Sequence, residues 1–231
     1  MSGGPLVGRT VLVAGATSTS GAAVSRALVA AGAAVIAVGA REDGLEALRA
    51  SVPQVTTQRC DLADRDAVHG LVSRLRSEGT HVDGLVHLVG GWRGGGGLAG
   101  QSDEDWDFFD RRFRTLRNTT RALYDDLVAS PAGRLATVSS TSVESPTAGG
   151  ANYAAAKAAA DAWTRAVAQG FRKHAPATAA AAVFVVKALD GLEARLGDEV
   201  VRLWDAEPAA VNGIRIPLAP EPSATEPRID A

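Results

Sequence analysis

The chain has 231 residues, 46% of them hydrophobic, enough for one domain with a sizeable buried core. A formal net charge of −2 leaves no broad basic field for nucleic acid or anionic lipid. The single cysteine, Cys60, excludes an intramolecular disulfide, and with neither a signal-type leader nor an apolar run of membrane-spanning length the expected location is cytoplasmic.

The apolar run Thr10 to Ala14 predicts a buried strand, GATSTSG at 15–21 a turn, and residues 22–31 a helix stopped by Gly32. A second strand is expected at 34–38, a short helix at 45–51 and a third strand at 55–60. Residues 64–78 carry helical spacing through Val68, Leu71, Val72 and Leu75. The fourth strand, 85–89, has almost no polar residue, as expected when both faces are covered. A glycine-rich stretch at 90–100 reads as a loop, mobile or closely packed. Ser102 and Asp105 then supply an N-cap and an N3 acid for a long helix to about residue 129. A fifth strand runs from Gly133 to Ser139 and Ser140, a helix from Asn152 to about 173, and a sixth strand over 179–186. A glycine-interrupted helix over 189–204 and a last strand over 213–218 complete the core. The Pro-rich, polar tail at 219–231 is expected to be poorly ordered.

Strands alternating with helices predict right-handed β-α-β units, hence an α/β fold. We expect a Rossmann-type doubly wound parallel sheet in a single domain, residues 1–231, with its core over about 8–218. Ligands in such sheets sit at the carboxyl ends of the strands. The turn after strand one, the loop after strand four and the serines after strand five share that edge.

The chemistry concentrates in SSTSVESPTAGGANYAAAK, residues 139–157. Tyr153 and Lys157 are four residues apart in an Ala-rich helical run and project from one helix face. An ammonium beside a phenol favours phenolate and lowers the tyrosine pKa from about 10. A hydroxyl facing both would hold a substrate oxygen, so the set suits proton donation to a carbonyl.

The pattern resembles the short-chain dehydrogenase/reductase family, whose Ser and Tyr-x-x-x-Lys set reduces carbonyls with NAD(P)H. The resemblance makes Ser140, Tyr153 and Lys157 the catalytic residues, with Tyr153 and Lys157 also touching cofactor. Gly15 and Gly21 bracket a turn where a phosphate approaches main-chain N–H groups, and Ser18, Thr19 and Ser20 add hydroxyls. Ala14 and Thr19 replace the threonine and the middle glycine of the family turn. Gly39 stands about where an NAD-selecting acid would be, and Arg41 either pairs with a 2′-phosphate or balances Glu42 and Asp43. NADP(H) is therefore expected over NAD(H). Asp61, with Leu62 beside it, either matches the acid that hydrogen-bonds adenine or caps the next turn, and Gly90 keeps a close approach to the cofactor ribose.

Three departures stand out. His87-Leu88-Val89-Gly90 replaces the family's Asn-Asn-Ala-Gly, and His87 reads as a hydrogen-bonded structural residue. Phe113, seven residues after Trp106, takes the place of the asparagine that holds a relay water, with Asn118 a turn away as the other candidate. After strand six the Pro-Gly pair and threonine are missing, and Lys187 is either an anion ligand or solvated. The resemblance implies reduction of a small-molecule ketone or oxidation of an alcohol, with no metal, no nucleic acid and no membrane partner. The departures leave two alternatives: an isomerase, dehydratase or cyclase, or a binding or scaffold subunit. A homodimer or homotetramer through the long helix and the Tyr-Lys helix is expected.

Overall fold

The protein was examined as a computed structural model, which describes residues 4–219. Seven strands form one parallel sheet: β1 (Thr10–Ala14), β2 (Ala34–Gly39), β3 (Thr56–Arg59), β4 (Gly84–His87), β5 (Arg134–Ser140), β6 (Ala180–Val186) and β7 (Arg215–Pro217). Their spatial order is β3-β2-β1-β4-β5-β6-β7. The order reverses between β1 and β4, so a crevice opens at the carboxyl ends there.

Two helical layers cover the sheet. On one side α1 (Thr19–Ala30) and α6 (Glu193–Arg202) bury Val24, Leu28, Leu196 and Val200 against Val11, Val13 and Phe184. On the other, α3 (Arg65–Ser77), α4 (Asp103–Ala129) and α5 (Ala151–His174) bury Leu71, Leu123 and Phe171 against Leu12, Leu85 and Leu135. Side chains alternate along each strand, so β1, β2, β4, β5 and β6 each feed both cores. Two shorter helices, α2 (Glu42–Ser51) and α7 (Pro208–Val211), complete the set.

Capping sets where the helices begin. The Ser18 hydroxyl accepts from Gly21 N at 3.0 Å, so α1 starts at Thr19, three residues earlier than the apolar pattern indicates. Ser102 caps α4 in the expected way, accepting from Asp105 N at 3.2 Å. The expected helix over 189–204 is shorter, and Gly197 does not interrupt it. A Cβ on Gly197 would lie 2.9 Å from Ala27 Cβ and 3.2 Å from Ala23 O, so glycine here is a packing requirement of α6 on α1. The third strand is confined to Thr56–Arg59 at the sheet edge, leaving Cys60 as a buried thiol beyond its end. The expected tail lies, beyond residue 219, outside the described residues.

The amino edge is held by polar groups that have no part in the crevice. Asp83 accepts from Thr10 N at 2.8 Å and from Ser130 Oγ at 2.6 Å. Arg134, 3% exposed, donates to the carbonyls of Leu203, Gly133, Thr178 and Ala206. Its guanidinium satisfies carbonyls that the strand ends and the segment after α6 would otherwise bury unpaired.

Candidate active site

The turn from β1 to α1 is shaped by two glycines. Gly15 adopts φ +81°, and a Cβ there would meet the Leu88 carbonyl carbon at 3.0 Å. A Cβ on Gly21 would lie 2.4 Å from Gly15 O, so only glycine lets the turn close on the helix. Ser18 and Ser20 line the crevice beyond; Thr19 is exposed at the first helical position.

The crevice is a cleft of about 570 Å³, lined by Gly90, Phe109, Arg112, Phe113, Ser140, Tyr153 and Lys157 among others. The fifth strand and the α5 helix therefore bring hydroxyl, phenol and ammonium to one cavity. Lys157 donates from Nζ to Val138 O at 2.8 Å, and Nζ lies 5.8 Å from the Tyr153 ring centroid. The Tyr153 ring packs on Phe109, centroids 5.7 Å apart. Ser140 Oγ accepts from Ser142 N and donates to Ser142 Oγ, both at 3.1 Å.

Burial decides the electrostatics. It pushes the Tyr153 phenol above its ordinary value, and a hydrogen bond with Ser140 offsets only part of that rise. The expected lowering by Lys157 does not prevail in the free protein. Enclosure of the Lys157 ammonium lowers its pKa to about 8, with Asp161 one turn away holding it up. Solvent still reaches Lys157 through the cleft mouth. At neutral pH the pair is a neutral phenol and a cation, the state of a proton donor.

His87 is buried and bonded through Nε2 to Thr115 Oγ1 at 2.8 Å, the structural contact expected of it. It also faces the cleft, which the sequence did not indicate. Burial and the Lys157 charge lower its pKa to about 3, so it is neutral. Phe113 lines the cleft, whereas Asn118 donates to Leu62 O and Ala63 O and tethers α4 to the chain after β3. The displaced-by-a-turn alternative is therefore not realised.

At the adenine end the expected residues have partners within the protein. Arg41 is mostly exposed, 3.8 Å from Asp43, the charge-balancing alternative. Asp61 accepts from Ala63 N at 3.0 Å and pairs with Arg111 at 2.6 Å. The Leu62 side chain is buried in the core. A second hollow, about 420 Å³, is lined by Ala40, Arg59, Cys60, Asp61 and Arg74. Arg59 lies opposite Gly39 in the β2–β3 register.

The glycine loop is closely packed. Gln101 Nε2 donates to the carbonyls of Gly95, Gly97 and Gly149 at 3.1, 3.2 and 3.0 Å, and its Oε1 accepts from Asn152 N at 3.0 Å. Gly91 and Trp92 of this loop form one wall of the cleft. Lys187, Ala188, Leu189 and Asp190 form the facing rim, where the short connection after β6 leads toward α6. Gln101 gave no signal in the sequence, because its partners are 4 to 51 residues away and all but one of the contacts are to glycine backbone.

Comparison with known proteins agrees with this geometry. The short chain dehydrogenase family model matches residues 9–187. The NADP-dependent 3-hydroxy acid dehydrogenase YdfG of Salmonella typhi is 33% identical over 150 residues, 64% of this chain and 60% of that protein. The fatty acyl-CoA reductase of Acinetobacter baylyi is 27% identical over 178 residues, 72% of this chain and 59% of that one. The matched regions thus span about three fifths of these relatives' length. A metagenomic short-chain oxidoreductase, solved in complex with NADP, superposes with a TM-score of 0.79 at 23% identity, covering 94% of this chain and all of that one, a likeness of fold. With the family model matched over most of this chain, residues 9–187, the chain belongs to the short-chain dehydrogenase/reductase family.

Proposed function

We propose that the protein is an NADP(H)-dependent oxidoreductase that interconverts a carbonyl and an alcohol on a small molecule, with short 3-hydroxy acids the first substrates to try. The observation that carries this reading is the convergence of Ser140, Tyr153 and Lys157 on one cleft at the carboxyl edge of the sheet. The cleft volume is in the range of small-ligand sites. The Salmonella relative named above uses NADP and acts on 3-hydroxy acids, which supports the cofactor and substrate class.

The residues present fit a dinucleotide. Gly15 and Gly21 close the β1–α1 turn tightly against the backbone of Leu88 and of the turn itself, and the N–H groups at the start of α1 would meet a pyrophosphate, with the Thr19 and Ser20 hydroxyls beside them. Gly90 and Lys157 would take the nicotinamide ribose; a Cβ on Gly90 would lie 3.9 Å from Lys157 Nζ. Asp61 would meet the adenine. At Gly39 a Cβ would lie 2.8 Å from Thr17 Cγ2 and 3.1 Å from Leu45 Cδ2, so an NAD-selecting acid there would have to displace both side chains. Arg41 and Arg59 supply positive charge nearby.

When bound, the nicotinamide supplies or accepts a hydride. Tyr153 gives its phenolic proton to the carbonyl oxygen, and Ser140 orients that oxygen. Lys157 stabilises the phenolate that remains. The same reading has α4 and α5 pairing with their copies in a dimer or tetramer. To test the activity, NADPH binding is measured by fluorescence, and turnover with a panel of 3-oxo acids and ketones. Tyr153→Phe should keep the fold and NADPH affinity while lowering turnover by at least ~10²-fold. Absence of NADPH binding at millimolar concentration defeats the reading.

A further inference from the structure

The charges around the cleft do not balance. Arg112, Lys157 and Lys187 line it as cations, His87 is neutral, and Asp190 is the one carboxylate among the described lining residues. Lys187 and Asp190 are exposed on the rim, where water screens them. Lys157 is bonded to Val138 O beside the Tyr153 ring. Arg112 stands apart from all of these. It is half-buried on α4, beside the loop wall at Gly91, and the mechanism above gives it no task.

Three contacts fix the Arg112 guanidinium. Nε donates to Gly90 O at 2.8 Å, Nη1 donates to Phe108 O at 2.9 Å, and the guanidinium carbon lies 3.1 Å from the centre of the Phe108 ring. Nη2 has no hydrogen-bond partner among the described residues. No carboxylate of those residues pairs with Arg112 either. Acids are not scarce nearby. Arg93 pairs with Glu104 and Asp105, Arg111 with Asp61, and Arg114 with Asp110. Those arginines are neutralised locally, whereas burial and the charges of Arg93 and Arg111 push the Arg112 pKa down. A guanidinium stays protonated all the same. A cation with one face stacked on a ring, like charges beside it and no counter-ion favours an anion that enters the cleft.

The charge is held at a set place relative to the reacting groups. Gly90, whose carbonyl Arg112 grips, is also the residue whose Cβ would lie 3.9 Å from Lys157 Nζ. Tyr153 packs on Phe109, Phe109 meets Phe108 edge-on at 5.1 Å, and Phe108 carries the guanidinium. Phe108, Phe109 and Arg112 all belong to α4. Packed side chains of one helix therefore govern the separation of phenol and cation, and a flexible loop does not.

We propose that Arg112 selects the substrate by binding a carboxylate on the molecule whose carbonyl is reduced, so that oxo acids are preferred to neutral ketones and esters. The inference rests on the redox reading for turnover and on the cleft alone for binding. Nη2 has both its hydrogens to give and Nη1 has one left, enough for two parallel bonds to a carboxylate. One carboxylate charge matches one unpaired guanidinium. An ester presents the same shape without the charge, and it leaves the cation uncompensated.

The test compares oxo acids with their methyl esters. At saturating NADPH, kcat/KM is measured for 3-oxobutanoate, 4-oxopentanoate and both esters in the wild type, Arg112→Gln and Arg112→Lys. Glutamine keeps a donor for Gly90 O without the charge; lysine keeps the charge without the planar fork. The wild type should prefer the acids. The acid-to-ester ratio should fall roughly 10–100-fold in Arg112→Gln, mainly through the KM of the acid, and Arg112→Lys should recover part of it. A loss shared equally by acid and ester, or a higher KM for NADPH with the ratio unmoved, overturns the proposal and leaves the redox reading standing. Should Arg112→Gln fail to fold, the wild-type ratio and Arg112→Lys carry the test, and a wild type that favours the esters overturns it. A second measurement needs no turnover. Calorimetric titration with 3-hydroxybutanoate, with and without NADP, should show binding that the methyl ester lacks and that Arg112→Gln weakens. No such binding overturns the proposal. Binding by a protein that reduces no carbonyl supports the carboxylate site and overturns the redox reading instead.

Discussion

Acidification should destabilise this protein through one imidazole. His87 is held neutral by burial, with the Lys157 charge adding to the effect, at a pKa of about 3 against 6.5 in the unfolded chain. Thr115 on α4, Lys157 on α5 and its own backbone are the groups that face it. The sign follows from proton counting. Between pH 6.5 and 3 the unfolded chain binds a proton that the folded protein refuses, so stability falls as pH drops through that window. Each unit is worth about 1.4 kcal/mol, so from pH 7 to pH 4.5 this residue removes roughly 3 kcal/mol. That is a large share of a typical margin of 5–15 kcal/mol. The measurement is urea unfolding of the wild type and of His87→Gln at both pH values. Glutamine keeps a donor for Thr115 and cannot titrate there, and any packing loss appears equally at both pH values. The stability gap between the two proteins should shift by roughly 3 kcal/mol in favour of glutamine at the lower pH. A gap that stays constant refutes the assignment of a neutral, desolvated His87.

Other expectations follow from the same geometry. Reductase activity should decline above about pH 8, where Lys157 loses its charge; Asp161→Asn, which removes the carboxylate holding that pKa up, should move the break to lower pH in the kcat/KM profile. An unmoved break would show that Lys157 does not set it. Gly21→Ala forces a Cβ onto Gly15 O, so it should cost about 1–3 kcal/mol in chemical denaturation and weaken NADPH binding as well. Gln101→Ala should release the glycine loop, raising substrate KM and making the loop sensitive to limited proteolysis, with little change in the melting of the core. Unaltered KM and cleavage would mean that the loop is held by its own backbone.

Much of this organisation was legible in order of residues. The strands announced themselves because both their faces are covered, leaving unbroken apolar runs such as 11–14 and 84–86. Tyr153 and Lys157 could be paired from helical spacing alone. Ser140 joined them through the family interval, and the structure puts all three on one cleft. What the sequence did not disclose depends on contacts between distant segments. Gly197 looked like a helix breaker until α1 was seen against it. Asp61 pairs with Arg111, a partner 50 residues later that gave no signal in the order of residues. Arg41 had two partners open to it in the sequence, and the structure sets it 3.8 Å from Asp43. The Tyr153 pKa was misjudged because a neighbouring cation is visible in sequence and the extent of burial is not.

The clasp formed by Gln101 has a consequence for which molecules are admitted. One amide spans from the glycine loop to the threshold of α5, so this side chain, with the Gly95–Gly149 backbone bond and the Arg93 and Arg112 contacts, helps set where the loop wall of the cleft stands. Shortening that reach by one methylene, as in Gln101→Asn, would draw the doorway inward or let it swing, without touching any group that performs chemistry. Tolerance for bulky substrates is thus adjustable at a site remote from the reacting atoms, and related chains could diverge in diet by altering this one position.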